Sequence, residues 1–185
     1  MKKALIIIFL SYTTIIFAAE EEVNLPFTQN SSNYWQYISD RTMGGISDGE
    51  AILEQEGEMF FARLKGNVST KNNGGFIQLR SRFSFTNFET DKKRIKGVRL
   101  NVRGNGETYH VFIRTNETQS YRDYYSASFQ SNSNWEVIDL PFDKFKHRVS
   151  NNLDLEGKKI RTLGIVAYGR DFIADISVSK IIFYY

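Results

Sequence analysis

Hydrophobic and polar residues alternate with a period of two over much of this chain. Alternating runs occupy residues 60–65, 77–82, 98–103 and 109–114. A period of two is typical of strands that bury one face and expose the other. Further strand-like runs occupy residues 124–129, 135–140, 162–168 and 176–185. The pattern therefore predicts a protein built from many short β-strands.

Turn-forming residues separate these runs, at residues 66–67, 72–75, 104–106, 131–134 and 169–171. Short strands at regular spacing, without helical periods between them, favour a sandwich or a barrel. Two segments, residues 50–58 and 142–147, also have the propensity for a brief helix, but neither is long enough to change the class. The predicted fold class is all-β.

The chain begins with two lysines and an apolar run, followed by Ala18, Ala19 and three glutamates. This order resembles a secretory signal peptide, and we expect residues 1–19 to be that signal and residues 20–185 to form a single domain. The apolar run is short and contains polar residues, so it suits a membrane span poorly. We predict export to the periplasm or out of the cell, with an uncleaved N-terminal membrane anchor as the alternative.

Without the signal the chain is nearly neutral, because 22 basic residues face 21 acidic ones once Lys2 and Lys3 are removed. Nucleic-acid binding requires a clustered positive surface, so we expect no nucleic-acid partner. The chain contains no cysteine, and stability must therefore come from packing rather than disulfides. The many aromatic residues can supply the necessary core.

Residues 45–49 (G-I-S-D-G) match the G-x-S-x-G motif of serine hydrolases. That motif needs a strand-to-helix elbow and a histidine base, and the helical layers of such a fold are missing here. His110 and His147 are the only histidines available. A serine hydrolase around Ser47 is the remote alternative, and the expected protein is not an enzyme and has no catalytic residue.

Metal and cofactor sites have little support in the sequence. Two histidines without cysteine do not make a usual zinc site, and no glycine-rich phosphate loop precedes a helix. Scattered Asp and Asn side chains leave a structural calcium open, although such residues usually satisfy turn backbone. We expect no cofactor and no metal.

Aromatic and arginine side chains suggest recognition. The aromatic candidates of the second half are Tyr121, Tyr124, Tyr125 and Trp135. Three arginines, Arg80, Arg99 and Arg103, alternate on strand faces and are expected on one side of neighbouring strands. They predict either an open polar face that binds a sugar or a peptide, or buried ion pairs with Asp40 and glutamates. Core packing is the competing interpretation for each aromatic residue.

Several segments resemble, in order, the signature of the complex I intermediate-associated protein 30 family. They are residues 40–47 (D-R-T-M-G-G-I-S), 66–69 (G-N-V-S), 72–76 (N-N-G-G-F), 102–106 (V-R-G-N-G) with Tyr109, 140–142 (L-P-F) between Trp135 and Phe145, and 163–165 (L-G-I). Thr42 and Asn105 depart from the family's usual valine and aspartate, and residues 146–148 replace a further segment.

The resemblance implies a jelly-roll β-sandwich of the galactose-binding domain-like type. It also implies an assembly factor that binds intermediates of NADH:ubiquinone oxidoreductase without performing chemistry. Because the chain starts with an export-type signal, we predict a non-enzymatic exported module, at most peripheral to a membrane. Its expected partner is a protein, in the assembly or stabilisation of a respiratory or other envelope complex. The alternative is a carbohydrate-binding domain whose partner is a glycan.

The resemblance and the strand patterns together select the candidate residues. The expected ligand- or partner-binding residues are Asp40, Arg41, Asn72, Asn73, Arg80, Arg103 and Tyr125. The expected structural turn residues are Gly44, Gly45, Gly74, Gly75 and Gly104. Asp40 and Arg41 are expected to form a charge-assisted pair, and the Asn-Asn-Gly-Gly turn to satisfy its own backbone.

Overall fold

A computed structural model describes residues 22–81, 95–150 and 154–185, so the predicted signal peptide lies outside the described residues. The described part of the chain is built from strands and short 3-10 helices. The strands are β1 (Val23–Pro26), β2 (Trp35–Ser39), β3 (Asp48–Glu56), β4 (Met59–Val68), β5 (Phe76–Ser81), β6 (Gly97–Gly104), β7 (Thr108–Thr115), β8 (Tyr125–Gln130), β9 (Glu136–Pro141), β10 (Lys146–His147), β11 (Ile160–Tyr168) and β12 (Phe172–Tyr184).

The strands form two antiparallel sheets. Sheet A has the order β3-β4-β12-β6-β9, and β1 pairs with the C-terminal half of β12. Sheet B has the order β10-β8-β7-β11-β5-β2. The two sheets pack face to face as a jelly-roll β-sandwich, which confirms the predicted fold class.

The core lies between the inner faces of the two sheets. Alternate residues of each strand point into it; on β7 these are Tyr109, Val111 and Ile113, all fully buried. Phe129 and Phe172 pack on the Tyr109 ring, with ring centroids 6.3 and 6.0 Å away. The alternation in the sequence thus reports the inward face of each strand.

Two local expectations from the sequence are wrong. Residues 50–58 do not form a helix, because β3 pairs with β4 over its whole length. Gly66 and Asn67 do not form a turn either, since both lie inside β4 and pair with β3 and β12. Cross-strand pairing on both sides of β4 outweighs these local preferences.

Both glycine-pair turns cross between the sheets at the same end of the sandwich. The first leads from β2 in sheet B to β3 in sheet A and contains the 3-10 helix Asp40–Met43. The second leads from β4 in sheet A to β5 in sheet B and contains the 3-10 helix Lys71–Asn73. The two crossings are therefore neighbours in space.

Candidate functional site

A carboxylate is buried where the two crossings meet. Asp40 is 0% exposed. Its Oδ1 accepts the Ser47 backbone N–H at 2.9 Å, and its Oδ2 accepts the Ser47 hydroxyl at 2.5 Å. Oδ2 also accepts the backbone N–H groups of Gly75 and Phe76, at 2.5 and 3.2 Å. One side chain therefore fastens the first crossing to the second.

The glycines of both crossings fit closely around this carboxylate. A Cβ on Gly45 would overlap the carboxyl carbon of Asp40, and one on Gly74 would lie 2.5 Å from Oδ2. Gly44 and Gly75 have φ values of +88° and +125°, a region that side chains disfavour. These four positions thus have steric or conformational reasons to be glycine.

The charge of Asp40 is stabilised by its donors. Burial acts to raise the pKa of this carboxyl, but hydrogen bonds from Gly75, Ser47 and Phe76 outweigh it and lower the pKa below its usual value. Asp40 is thus screened from solvent, and its four hydrogen bonds join the two crossings. The ligand-binding role predicted for Asp40 stays a prediction.

Arg41 does not pair with Asp40, contrary to the expected charge-assisted pair. Its Nε donates to the Ser47 carbonyl at 3.2 Å, and its Nη2 lies 3.4 Å from Asp48 Oδ1. Asn72 and Asn73 adopt φ values of +57° and +58° and expose their side chains. The ligand-binding role predicted for Arg41 and the two asparagines stays a prediction.

Ser47, the serine of the G-x-S-x-G match, is also 0% exposed. Its hydroxyl donates to Asp40 and accepts the Ser69 backbone N–H at 2.9 Å. The serine lies before strand β3, in a sheet-to-sheet crossing, rather than on a strand-to-helix elbow. These contacts give Ser47 a structural task that accounts for its position in the motif.

The turn between β6 and β7 is fixed by a short hydrogen-bond chain. A Cβ on Gly104 would lie 2.5 Å from Ser131 Oγ. Tyr109 donates its hydroxyl to Asn105 Oδ1 at 2.7 Å and accepts the Asp175 backbone N–H at 2.8 Å. Burial raises the pKa of Tyr109 and keeps the hydroxyl protonated. This part of the family-like signature is structural too.

The three arginines expected on one face lie on two different sheets, so that expectation is wrong. Arg99 and Arg103 belong to β6 in sheet A, whereas Arg80 belongs to β5 in sheet B. The sequence gives the alternation within each strand but not the sheet to which a strand is assigned.

The outer face of sheet A is a network of ion pairs. Arg63 binds both carboxylate oxygens of Asp175 at 2.7 Å. Arg99 lies 2.6 Å from Asp139 and 3.0 Å from Glu22. The remaining pairs of this face are Lys65 with Glu50 at 3.2 Å, Arg103 with Glu56 at 2.9 Å and Arg63 with Glu54 at 3.5 Å. Each of these cations is neutralised by a nearby acid.

Three of the aromatic candidates differ in burial and in packing. Tyr125 is 3% exposed and lies in the core against His147, so its side chain does not reach the surface. Trp135 packs edge-on against Phe61, under the guanidinium of Arg103. Tyr121 is 59% exposed. The binding role predicted for Tyr125 therefore has no support from its surroundings.

The outer face of sheet B contains a second apolar cluster, separate from the core. Its members are Phe76, Phe112, Tyr124, Val166 and Tyr168. Phe112 stacks on Tyr124 with ring centroids 4.1 Å apart, and Tyr168 meets Phe112 edge-on at 5.4 Å. Except for Tyr124, these residues did not stand out in the sequence. One feature of the sequence could have pointed to this cluster: Phe112 is an aromatic residue at a position of β7 where the alternation predicts an outward-facing polar side chain.

Polar atoms on the same face lack partners. Gln78 and Arg114 are 4% and 7% exposed, and no atom of the described residues bonds to Gln78 Oε1, Arg114 Nη1 or the half-buried Thr162 Oγ1. Buried polar groups usually have a partner, so such a concentration is uncommon. His110 lies beside them, and burial lowers the pKa of its imidazole.

Three arginines make this face positive. Burial lowers the pKa of Arg114 to about 10, with repulsion from Arg80 as the next cause and a contribution from Arg161. Burial and then repulsion from Arg161 lower the pKa of Arg80. Within the described ranges none of the three forms an ion pair, in contrast to the cations of sheet A. We call the face around Gln78, Arg80, Phe112, Arg114 and Tyr168 the sheet B face.

Residues 22–81, 95–150 and 154–185 contain no group of three or more His, Asp or Glu side chains that could hold a metal ion. In the same ranges, no helix is long and apolar enough to cross a membrane.

Solved structures with a similar fold include carbohydrate-binding modules. The family 11 module of the cellulase Lic26A-Cel5E of Clostridium thermocellum has a TM-score of 0.68 and 15% identity, over 90% of this chain and 95% of that one. The same kind of module in complex with a β-1,3-1,4-mixed-linked tetrasaccharide has a TM-score of 0.65 and 16% identity, over 90% and 96%. A family 30 module has a TM-score of 0.53 and 11% identity, over 87% and 98%.

Sequence comparison identifies the family. No curated protein shows a significant match to the chain. The family model described as complex I intermediate-associated protein 30 (CIA30) matches residues 25–175, which is most of the chain. The match includes both crossings at Asp40 and the β6–β7 turn. The chain belongs to the complex I intermediate-associated protein 30 family.

Proposed function

We propose that this protein is an exported, non-catalytic binding module that binds a saccharide on the sheet B face. The single observation behind the proposal is the composition of that face. Stacked aromatic rings lie beside buried polar atoms that have no hydrogen-bond partner in the part of the chain that the structure describes. Saccharides have apolar ring faces and many hydroxyl groups, so they match aromatic surfaces edged by hydrogen-bonding groups.

The half-buried members of the face supply the contact surface. Phe76 and Tyr168 pair across β5 and β11, and both are partly accessible. The Tyr168 hydroxyl lies 3.2 Å from Arg148 Nη1, which also contacts Tyr124. These bonds hold the Tyr168 ring in place before binding, and such preorganisation favours affinity. The carbohydrate-binding modules that share this fold support the proposal as well.

The test is titration of the full-length protein with neutral oligosaccharides, including a β-1,3-1,4-mixed-linked tetrasaccharide, and with acidic ones. Tyr168→Ala should weaken binding at least tenfold, because aromatic contacts to ligands are worth about 1–3 kcal/mol. Tyr184→Ala is the matched control, since Tyr184 is a half-buried tyrosine under an arginine on sheet A. Equal binding by both variants would contradict the proposed face.

A second candidate function follows from family membership: binding a protein partner during assembly or stabilisation of an envelope complex. Met43 and Ile46 are 47% and 45% exposed at the end of the sandwich where the crossings meet. Exposed apolar residues on an ordered turn suit a protein contact. Asn72 and Asn73 lie in the neighbouring crossing and would border this contact.

Affinity capture from the cell envelope after mild cross-linking tests this second function. One complex should be enriched with the wild-type protein and lost with Ile46→Asp. Val137→Asp is the control, because Val137 is 62% exposed on sheet A, away from the crossings. Enrichment of the same proteins by all three forms would count against a partner at this end.

A further inference from the structure

Arginine side chains are ion-paired on the outer face of sheet A but not, among the described residues, on that of sheet B. On sheet A, Arg63, Arg99 and Arg103 each lie within 3.0 Å of a carboxylate oxygen. On sheet B, Arg80 and Arg114 have no acidic partner among the described residues. Within the described residues, the sheet B face therefore has positive charges without paired carboxylates, whereas the outer face of sheet A has both.

Arg114 is the most deeply buried of these cations. It is 7% exposed, and its hydrogen bond within the described residues runs from Nη2 to the Tyr121 carbonyl at 3.0 Å. Asp123, an acid whose charge acts on Arg114, is engaged by His147 Nε2 at 2.6 Å and by the Gln119 N–H at 3.1 Å. Buried guanidinium groups normally pair with an anion. An anionic group of a ligand would supply that pairing for Arg114.

The register of the strands places the arginines and the aromatic groups around Gly164. Gly164 on β11 pairs with Arg80 on one side and with Phe112 on the other. Thr162, the next outward position, pairs with Arg114. A Cβ on Gly164 would lie 3.0 Å from Gln78 Oε1, so the Gln78 amide lies close over the glycine. A sugar ring lying over this part of the sheet would have arginines at its edge and aromatic groups beside it.

We infer that the ligand of the sheet B face is an acidic saccharide, whose carboxylate or sulfate groups pair with Arg80, Arg114 and Arg161. This inference rests on the proposed function and narrows it. Guanidinium groups bind carboxylate and sulfate oxygens in a planar, two-pronged manner. A neutral saccharide would satisfy the aromatic rings but would leave the three positive charges as they are. Anion binding also relieves the mutual repulsion of the arginines.

The test is calorimetric titration of the full-length protein with tetrasaccharides of matched length. The acidic probes are tetragalacturonate, tetraguluronate and a heparin-derived tetrasaccharide, and the neutral probe is cellotetraose. At least one acidic probe should bind tenfold or more tighter than the neutral one at low salt, and should weaken as salt rises. Arg161→Gln and Arg80→Gln should each reduce that affinity about tenfold.

Arg63→Gln is the control, because it removes the same charge from the outer face of sheet A. It should change the affinity less than twofold. Arg161 is exposed, so Arg161→Gln separates binding from folding even if Arg114 variants unfold. Tighter binding by the heparin-derived probe than by the uronates would assign sulfate as the anion and support the inference.

Three outcomes would overturn it. If cellotetraose binds as tightly as the acidic probes and the arginine variants bind normally, the acidic ligand is wrong while the proposed function stands. If no saccharide binds, both fail. If polyglutamate binds more tightly than every acidic saccharide, the face recognises acidic peptides instead.

Discussion

Replacing the Asp40 carboxylate by an amide tests whether the buried cluster at the crossings holds the two sheets together. In Asp40→Asn the size of the side chain is kept, but one oxygen becomes an N–H donor. Oδ2 now accepts from the Ser47 hydroxyl, the Gly75 N–H and the Phe76 N–H, all within 3.2 Å. The amide would turn its oxygen to the position of Oδ2, where it keeps these three donors in neutral hydrogen bonds. Its NH2 group would then stand at Oδ1 against the Ser47 N–H, which lies 2.9 Å from Oδ1 in the wild type.

The magnitude follows from the bonds that are weakened and the one that is lost. Hydrogen bonds to a charged group contribute about 1.5–3 kcal/mol each, against about 0.5–1.5 kcal/mol for neutral ones, and an unsatisfied buried donor costs about 1–3 kcal/mol. The bonds from Gly75 and Phe76 become neutral, the Ser47 hydroxyl can turn to the Ser69 carbonyl at 3.2 Å, and the Ser47 N–H loses its acceptor. We expect a loss of about 3–5 kcal/mol in the free energy of unfolding. This is a large fraction of the ordinary 5–15 kcal/mol.

The assay is urea unfolding followed by tryptophan fluorescence and circular dichroism at neutral pH. The melting temperature should fall by roughly 10 °C, from the usual 2–4 °C per kcal/mol for a chain of this size. Asp48→Asn is the matched control: Asp48 is exposed and pairs only at the surface with Arg41, at 3.4 Å, so its loss should cost under about 1 kcal/mol. An Asp40→Asn protein within 1 kcal/mol of the wild type would refute the reasoning.

The remaining predictions concern sterics and pH. Gly45→Ala should destabilise more than Gly44→Ala in the same urea assay, by about 1 kcal/mol or more, because only the first places a Cβ on the Asp40 carboxyl group; equal losses would contradict this. The folded-state pKa values of Asp40 and Asp123 are both lowered, so both carboxylates stabilise the folded protein fully above about pH 5. This stabilisation is lost as pH falls through about 4 toward the folded-state pKa values. Urea unfolding at a series of pH values should show the loss of free energy, and the loss should be smaller in Asp40→Asn. Burial lowers the pKa of His110, so the wild type should also lose stability as pH falls below about 6.5, because the imidazole of the unfolded chain takes up a proton first. If the free energy of unfolding of His110→Gln changes with pH between 7.5 and 5.5 as steeply as that of the wild type, this prediction is wrong.

The two outer faces of the sandwich differ in how their charged side chains are paired, and this difference bears on function. Sheet A is closed by ion pairs such as that of Arg63 with Asp175, whose two hydrogen bonds raise the pKa of the guanidinium. Sheet B combines stacked rings with unpaired cations, a less favourable arrangement for stability alone. Proteins retain such local conflicts chiefly where a ligand resolves them. The location of the candidate site on sheet B thus has an energetic basis.

Much of the fold could be read from the sequence. The runs at residues 98–103 and 109–114 became β6 and β7, because a strand with one buried face must alternate whatever its neighbours are. The glycine-pair segments were recognised as turns for a similarly local reason, the positive φ available to glycine. Local chemistry also suggested a helix at residues 50–58. It failed there because the cross-strand partners supplied by β4 lie outside any local window.

The sequence by itself determined the period of the alternating strands, most of the turns and the family. Only the tertiary structure decided which sheet each strand joins, and hence that Arg80 and Arg103 point from opposite sides of the molecule. It also brought Asp40 to the N–H of Gly75, 35 residues away, and buried its carboxylate between the two crossings. The sheet B face emerged in the same way, from residues on β5, β7 and β11 that are distant in sequence. Side-chain alternation is a local property of a strand, whereas strand order, burial and charge pairing depend on contacts between distant segments.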